Sequence, residues 1–191
     1  MMPTKLYVNL ATNYQVSPDE FVEYWKDQYS YPNQHLYTDN IHLREYTTRN
    51  LYDLFCWKNG MNLSSKKQIG FNKIAQQLDV INRLKLDFNE DLFESHFGKM
   101  TTVWKIFLRH VIDPERNPIF DQHVYRAYRY LHRQDKEEIV EEKVKEEVYH
   151  REYRDFYLDL ERNCSRYNGK EIDDALWAFG KFISRYPKMI I

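Results

Sequence analysis

Cysteine, glycine and proline are scarce in this sequence of 191 residues, which contains two Cys, five Gly and six Pro. Two cysteines are too few for a disulfide framework, a four-cysteine zinc site or an iron–sulfur cluster. No apolar run approaches the ~18–20 residues of a membrane-spanning helix. The chain does not open with a charged stretch and then an apolar one, so no secretory signal is expected. We therefore expect a cytoplasmic protein that does not enter a membrane.

Several signatures of known chemistry are also missing from the sequence. It has no Gly-rich phosphate loop and no Gly-x-Ser-x-Gly elbow, which disfavours the common nucleotide-binding folds and serine hydrolases. The histidines do not have the spacing of metal ligands. We expect no metal and no other cofactor.

Aromatic residues are abundant, with 16 Tyr and 11 Phe, and 42% of the chain is hydrophobic, which is enough to bury a core. Helical spacing and capping residues predict an all-α fold, because the two signals agree along most of the chain. The alternation at residues 5–10 predicts a short strand or an extended arm. We expect helices over about 17–31, 39–58, 62–81 (with Ile69 facing inward), 91–97, 99–112, 122–132, 137–150, 153–160 and 170–184.

Opposite charges are separated along the sequence, although the net charge is only −1. Residues 58–85 contain six basic side chains and one acidic, a net charge of +5. Residues 99–136 carry +4, and residues 137–161, with ten acids and four bases, carry −6. Basic surfaces of this kind bind phosphates, while the alternative is that they are ordinary solvated helix faces.

The most informative segment of the chain reads Pro118-Ile119-Phe120-Asp121-Gln122-His123-Val124-Tyr125-Arg126. It resembles the run that enters the catalytic helix of the helix–hairpin–helix DNA glycosylases, the endonuclease III-like superfamily, which is close to Val-Asp-Thr-His-Val-x-Arg. Four residues fall in register with that run: Asp121, His123, Val124 and Arg126. Phe120 and Gln122 replace an aliphatic residue and a threonine.

The resemblance extends more weakly over residues 45–185. Residues 97–104 stand where the family has a helical hairpin with a glycine-rich turn, and the single Gly98 replaces two expected glycines. Residues 137–148 correspond to a charged helix, and residues 175–181 to a closing helix with a small residue near its middle. The resemblance implies two helical lobes with a cleft, and a degenerate hairpin near residues 91–112.

The family reaction hydrolyses an N-glycosidic bond through a cation-like sugar. The resemblance implies that Asp121 stabilises that charge and positions water, and its place at a helix start favours the ionised carboxylate. His123 is the second candidate catalytic residue. Met100 falls at the position of the Schiff-base lysine of bifunctional members, so we expect no lyase activity. The cysteine count excludes the iron–sulfur loop of one branch.

The implied partner is duplex DNA, with a damaged base flipped into an aromatic pocket. Five residues are candidates for contacts with its backbone: Gly98, Lys99, Lys105, Arg126 and Arg129. The turn amides beside the glycine would hold a phosphate, and the basic side chains would neutralise others.

Purely structural roles for these residues remain alternatives. Asp121 also fits an ordinary helix N-cap, and His123 also fits a satisfied structural histidine. If Asp121 and His123 have only structural roles, the chain is a catalytically inactive relative that binds nucleic acid or protein, or an unrelated helical interaction protein. We treat residues 1–191 as one helical unit, with lobes over residues 40–115 and over 1–39 plus 116–191. The sequence does not indicate the oligomeric state.

Overall fold

The computed structural model describes residues 16–132 and 142–186. Within these ranges the chain is helical and contains no strand, which confirms the all-α prediction. The strand or arm predicted at residues 5–10 and the first part of the charged helix predicted from residue 137 lie outside the described residues. None of the described helices has the length and apolar character needed to cross a membrane.

The described helices keep most of the predicted order but differ in their ends. They are α1 (Pro18–Lys26), α2 (His35–Thr38), α3 (Thr48–Asn59), α4 (Ser65–Ala75), α5 (Leu78–Leu86), α6 (Glu90–Phe97), α7 (Thr102–Ile112), α8 (Gln122–Leu131), α9 (Glu142–Val148), a π-helical turn (Tyr149–Tyr153), α10 (Arg154–Asn163) and α11 (Gly169–Arg185).

Capping residues set the ends that the sequence predicts well. The Ser17 hydroxyl accepts a hydrogen bond from the Glu20 N–H, and the Glu20 carboxylate accepts one from the Ser17 N–H, so the predicted capping box of α1 is present. Asn168 and Glu171 form the same reciprocal box at the start of α11. These bonds satisfy N–H groups that a helix start leaves without partners.

The helix predicted over residues 39–58 is wrong at its start, because α3 begins nine residues later. Thr47 and Asn50 form a capping box that fixes this start. The preceding Tyr46 is buried, and the Asn82 side-chain amide bonds both its N–H (2.8 Å) and its carbonyl (2.9 Å). This tertiary clamp holds residue 46 outside the helix, although the apolar spacing around it is helical.

The single helix predicted over residues 62–81 is also wrong, because the chain breaks at Gln76–Gln77 into α4 and α5. Ile69 is 62% exposed and does not face inward. Each helix buries its own short apolar stripe, made of Phe71 and Ile74 in α4 and of Ile81 and Leu84 in α5. The break lets both stripes reach the core.

The chain divides into two compact units, one formed by residues 1–30 and 120–191 and the other by residues 31–119. These limits differ from the lobe limits expected from the sequence, and the assignment of glycosylase lobes stays a prediction. In the unit of residues 31–119, Phe55 lies at the centre of an aromatic core. Its ring contacts those of Phe71, Trp104 and Phe107 at centroid distances of 4.9–5.7 Å.

In the other unit, α11 packs against both α1 and α8. Phe179 of α11 contacts the rings of Phe21 (5.4 Å) and Trp25 (4.9 Å). Next to it, Gly180 lies against the backbone of His123, where a Cβ atom at residue 180 would stand 1.8 Å from the His123 carbonyl oxygen. Only a hydrogen atom fits in that space, so the glycine sets the distance between α8 and α11.

Asp19 of α1 binds the loop between α10 and α11, about 145 residues further along the sequence. Its Oδ1 accepts hydrogen bonds from the Cys164 thiol (3.1 Å) and from the N–H groups of Ser165 and Arg166 (3.0 and 3.1 Å). The Ser165 hydroxyl donates to Oδ2 at 2.8 Å. Together these bonds, the Cys164 bond first, lower the pKa of Asp19 from its usual value of 3.8 to about 2.

The Gly180 contact predicts opposite effects of two glycine-to-alanine changes. Gly180→Ala forces α8 and α11 apart and should reduce the free energy of unfolding by about 3 kcal/mol. Gly70→Ala in α4 is the matched control, because its Cβ would meet Trp104 at an ordinary 3.6 Å. Helix propensity then favours Ala by up to about 1 kcal/mol. Urea unfolding of both variants checks this, and equal effects would contradict the close approach.

The Asp19 bonds predict an acid-sensitive contribution to stability. A carboxyl group whose pKa is lower in the folded chain than in the unfolded chain adds stability above its unfolded pKa. That stability is lost as the pH falls toward the folded value, here between about pH 4 and pH 2. Asp19→Asn should therefore lower the thermal unfolding midpoint at pH 7 and lose less stability than the wild type over that range. Asp27→Asn, at the other end of α1, is the control and should match the wild type.

Candidate functional site

Helices α6 and α7 form a helical hairpin immediately before the motif. Glu90 and Glu94, one turn apart on α6, both bind the Arg109 guanidinium on α7, at 2.5–2.7 Å. Glu94 also lies 3.6 Å from the Lys105 ammonium. These ion pairs join the two helices across the turn between them. In the segment where the sequence predicts a hairpin, two helices are thus joined by a short turn, and α7 begins at Thr102 and not at Lys99.

The hairpin turn consists of residues 98–101. Gly98 has φ −57°, a value open to any residue, so the turn makes no use of the left-handed conformation that glycine favours. A Cβ at this position would nevertheless stand 2.6 Å from the Glu94 carbonyl oxygen. Lys99 is exposed at the turn, and Met100 packs partly buried against the core. The turn thus presents one lysine outward, while the N–H groups of Gly98 and Met100 already donate to the carbonyls of Glu94 and Phe97.

Lys105 occupies a different environment from the one expected of a phosphate contact. Its side chain is only 6% exposed and faces Glu94. Arg109 is 3% exposed and held by the same acidic pair. Part of the positive charge counted over residues 99–136 is therefore internal and neutralised by residues 90 and 94. The net charge of residues 99–136 does not reveal this neutralisation, because both acids precede residue 99.

Asp121 begins the helix that follows the hairpin. Its Oδ1 accepts hydrogen bonds from the N–H groups of His123 (2.7 Å) and Val124 (3.1 Å), so the carboxylate caps α8 as predicted. The Asp121 side chain stays partly exposed. The neighbouring Phe120 is buried against the rings of Tyr149 (5.6 Å) and Tyr153 (5.1 Å). These contacts fix the chain on both sides of the cap.

His123 is held by neighbours on several sides. Its Nδ1 lies 3.3 Å from an Arg126 guanidinium nitrogen and must accept that hydrogen bond, because a guanidinium only donates. Burial lowers the pKa of His123, with a smaller opposing effect of Asp121 and a backbone hydrogen bond to Gly180. The Trp177 ring packs on the imidazole at 5.0 Å. A neutral imidazole with Nε2 protonated fits these contacts, which orient it within the chain.

Arg126 and Arg129 lie one turn apart on the same side of α8. Both are partly exposed, and the Arg129 guanidinium stands 5.9 Å from the centre of the Tyr125 ring. Arg126 also contacts His123, so its position is coupled to the first turn of the helix. The two arginines therefore share a partly solvated face that starts one turn after Asp121.

Two further residues lie in this environment without any sequence motif to indicate them, Tyr153 and Asp173. Tyr153 is fully buried, and burial, followed by the negative charges of Asp173 and Asp121, raises the pKa of its hydroxyl well above the usual value. Asp173 of α11 is 7% exposed. No motif links residues 121, 153 and 173. The structure thus places a buried neutral phenol where the charges of both Asp121 and Asp173 act on it.

The described part of the chain contains no group of three or more His, Cys, Asp or Glu side chains arranged to hold a metal ion. Comparison with protein-family models, curated proteins and solved structures found no match.

Proposed function

We propose that this chain is a divergent DNA-binding protein that acts as a monofunctional base-excision glycosylase on duplex DNA. One observation carries the proposal: a helical hairpin leads through a short linker to Asp121, whose partly exposed carboxylate caps the next helix. The glycosylase-like motif falls on this carboxylate. Two helices joined by a short turn, α6 and α7, precede it in the sequence, which supports the proposal.

The chemistry asked of Asp121 is electrostatic. As the bond between the sugar C1′ and the base nitrogen breaks, its electron pair leaves with the base, which takes a proton from solvent. Positive charge develops at the sugar, and a fixed carboxylate stabilises it. The oxygen of a water molecule then bonds to C1′, and its proton passes to Asp121. The two backbone N–H bonds hold the carboxylate in one orientation, so it needs no reorganisation during the reaction.

DNA binding in this proposal uses side chains that the sequence predicts for that role. The Arg126–Arg129 face of α8, which starts one turn after Asp121, contacts phosphates. Lys99, in the other unit, is a separate candidate for a phosphate contact. We leave Lys105 out, because its ammonium group is buried against Glu94. His123 acts as a positioning residue, since its contacts with Arg126 and Gly180 fix the first turn of α8.

A second candidate function is a non-catalytic DNA-binding module with the same parts. The conformation of Gly98 favours it, because a turn without left-handed glycines brings fewer backbone amides to one phosphate. This module would bind duplex DNA in a salt-sensitive way and release no base.

The enzyme proposal predicts that Asp121→Asn loses base release while keeping the fold. Asn is as good an N-cap as Asp, so its unfolding free energy should stay within a few tenths of a kcal/mol, whereas Asp121→Ala should lose about 1 kcal/mol. Release of free base from duplexes that carry uracil, alkylated or oxidised bases should fall about 100-fold or more in Asp121→Asn. Asp155→Asn on α10 is the control and should keep wild-type activity.

Two results would decide against the enzyme: no base release from any duplex by the wild type, or full activity in Asp121→Asn. Salt-sensitive duplex binding without release supports the non-catalytic module. Binding that survives replacement of both Arg126 and Arg129 by Gln would remove the proposed DNA face.

A further inference from the structure

A pocket of about 400 Å³ lies within the unit of residues 31–119, and the proposed DNA chemistry makes no use of it. Its lining comes from three segments, residues 41–44 before α3, residues 84–86 and 88 around the end of α5, and residues 112–116 at the end of α7. Pockets that hold small molecules commonly have volumes of ~300–1,000 Å³. A phosphate ion alone would leave most of this pocket unfilled.

Lys85 is the best-fixed cation of the pocket. It is half-buried, and its ammonium donates a hydrogen bond to the Tyr46 hydroxyl at 3.0 Å and stands 4.6 Å from the centre of the Tyr46 ring. Tyr46 is itself rigid, since its hydroxyl lies 2.7 Å from the Ile41 carbonyl and 2.9 Å from the Val111 carbonyl. The ammonium is therefore held on a rigid support.

The charge around Lys85 is not balanced by an ion pair. No carboxylate in the described ranges pairs with it, and burial lowers the pKa of Lys85, with Asp113 opposing this more weakly. Arg44 is exposed in the turn before α3, and it also pairs with no acid among the described residues. Arg116 stands 3.9 Å from Asp113. Two of the three basic side chains thus face the pocket without a carboxylate partner, which favours an anionic ligand.

The remaining lining gives the ligand a second part. Leu86, 72% exposed, and Phe88 offer apolar surface to a ligand. Asp113 and Glu115 offer carboxylates that accept hydrogen bonds from hydroxyl and amino groups. A phosphate, hydroxyl groups and an aromatic ring that can pack on apolar side chains occur together in a nucleotide.

We propose that this pocket binds a nucleoside monophosphate, with Lys85 and Arg44 on the phosphate and the base against Leu86 and Phe88. In this proposal the phosphate is bound by side chains and not by a glycine-rich loop. The same chemistry is present in a free nucleotide and in a nucleotide at the end of a strand. The proposal does not depend on catalysis at Asp121.

Calorimetric titration of the full chain with adenosine 5′-monophosphate tests the proposal. We expect adenosine and inorganic phosphate to bind at least tenfold more weakly, because each lacks half of the required contacts. Lys85→Met and Arg44→Gln should each weaken binding of the monophosphate at least fivefold. Arg83→Gln, on an exposed site of α5 outside the pocket, is the matched control and should bind like the wild type.

A 5′-phosphorylated oligonucleotide forms the second arm. If the oligonucleotide competes with the monophosphate, and Arg44→Gln weakens this competition, the end of a nucleic-acid strand is a source of the ligand. If the oligonucleotide does not compete, the ligand is the free nucleotide. Arg44 lies in an exposed turn, so that variant tests the pocket even where Lys85→Met alters folding. The proposal is overturned if the monophosphate does not bind at millimolar concentration. It is also overturned if adenosine binds as tightly as the monophosphate, or if Arg83→Gln loses as much affinity as Arg44→Gln. Asp121→Asn should leave this binding unchanged.

Discussion

The close approach of α8 and α11 is the constraint on which the candidate site depends. At Gly180 the backbone of α11 meets the carbonyl of His123, so the first turn of α8 has a single position. That turn supplies the two N–H groups that hold the Asp121 carboxylate. It also sets where Arg126 meets His123. A side chain of any size at residue 180 would therefore displace the cap, the imidazole and the basic face of α8 together.

A second arrangement, independent of the first, shapes the unit of residues 31–119. The buried Arg109 guanidinium binds two glutamates on the facing helix and stands 4.2 Å from the centre of the Phe93 ring. A buried charge is tolerated only when such partners satisfy it, so the hairpin is specified by polar as well as apolar contacts. The same ion pairs neutralise part of a segment that looks strongly basic in the sequence. Lys105 and Arg109 are therefore not counted among the candidate DNA contacts.

Capping residues in the sequence correctly predicted the helix starts that depend on hydrogen bonds between near neighbours. The Ser17–Glu20 box and the Asp121 cap involve residues at most three apart, and both are present. The helices predicted over 39–58 and 62–81 failed, because Asn82 clamps Tyr46 from another helix and because two apolar stripes must reach one core. The partner of Gly180, the approach of Asp173 to Tyr153, and the support of Lys85 by Tyr46 link residues 20 or more apart. No spacing rule within one sequence reveals such contacts.

The account makes Asp121 an electrostatic partner of a cationic sugar, and affinity for a charged mimic tests that claim most directly. The measurement compares binding of two duplexes, one with a cationic pyrrolidine abasic analogue and one with its neutral tetrahydrofuran counterpart. Wild-type protein should prefer the cationic duplex at least tenfold, and Asp121→Asn should lose that preference while binding the neutral duplex equally well. Equal affinity of the wild type for both duplexes, or an unchanged preference in Asp121→Asn, would contradict the catalytic role of this carboxylate.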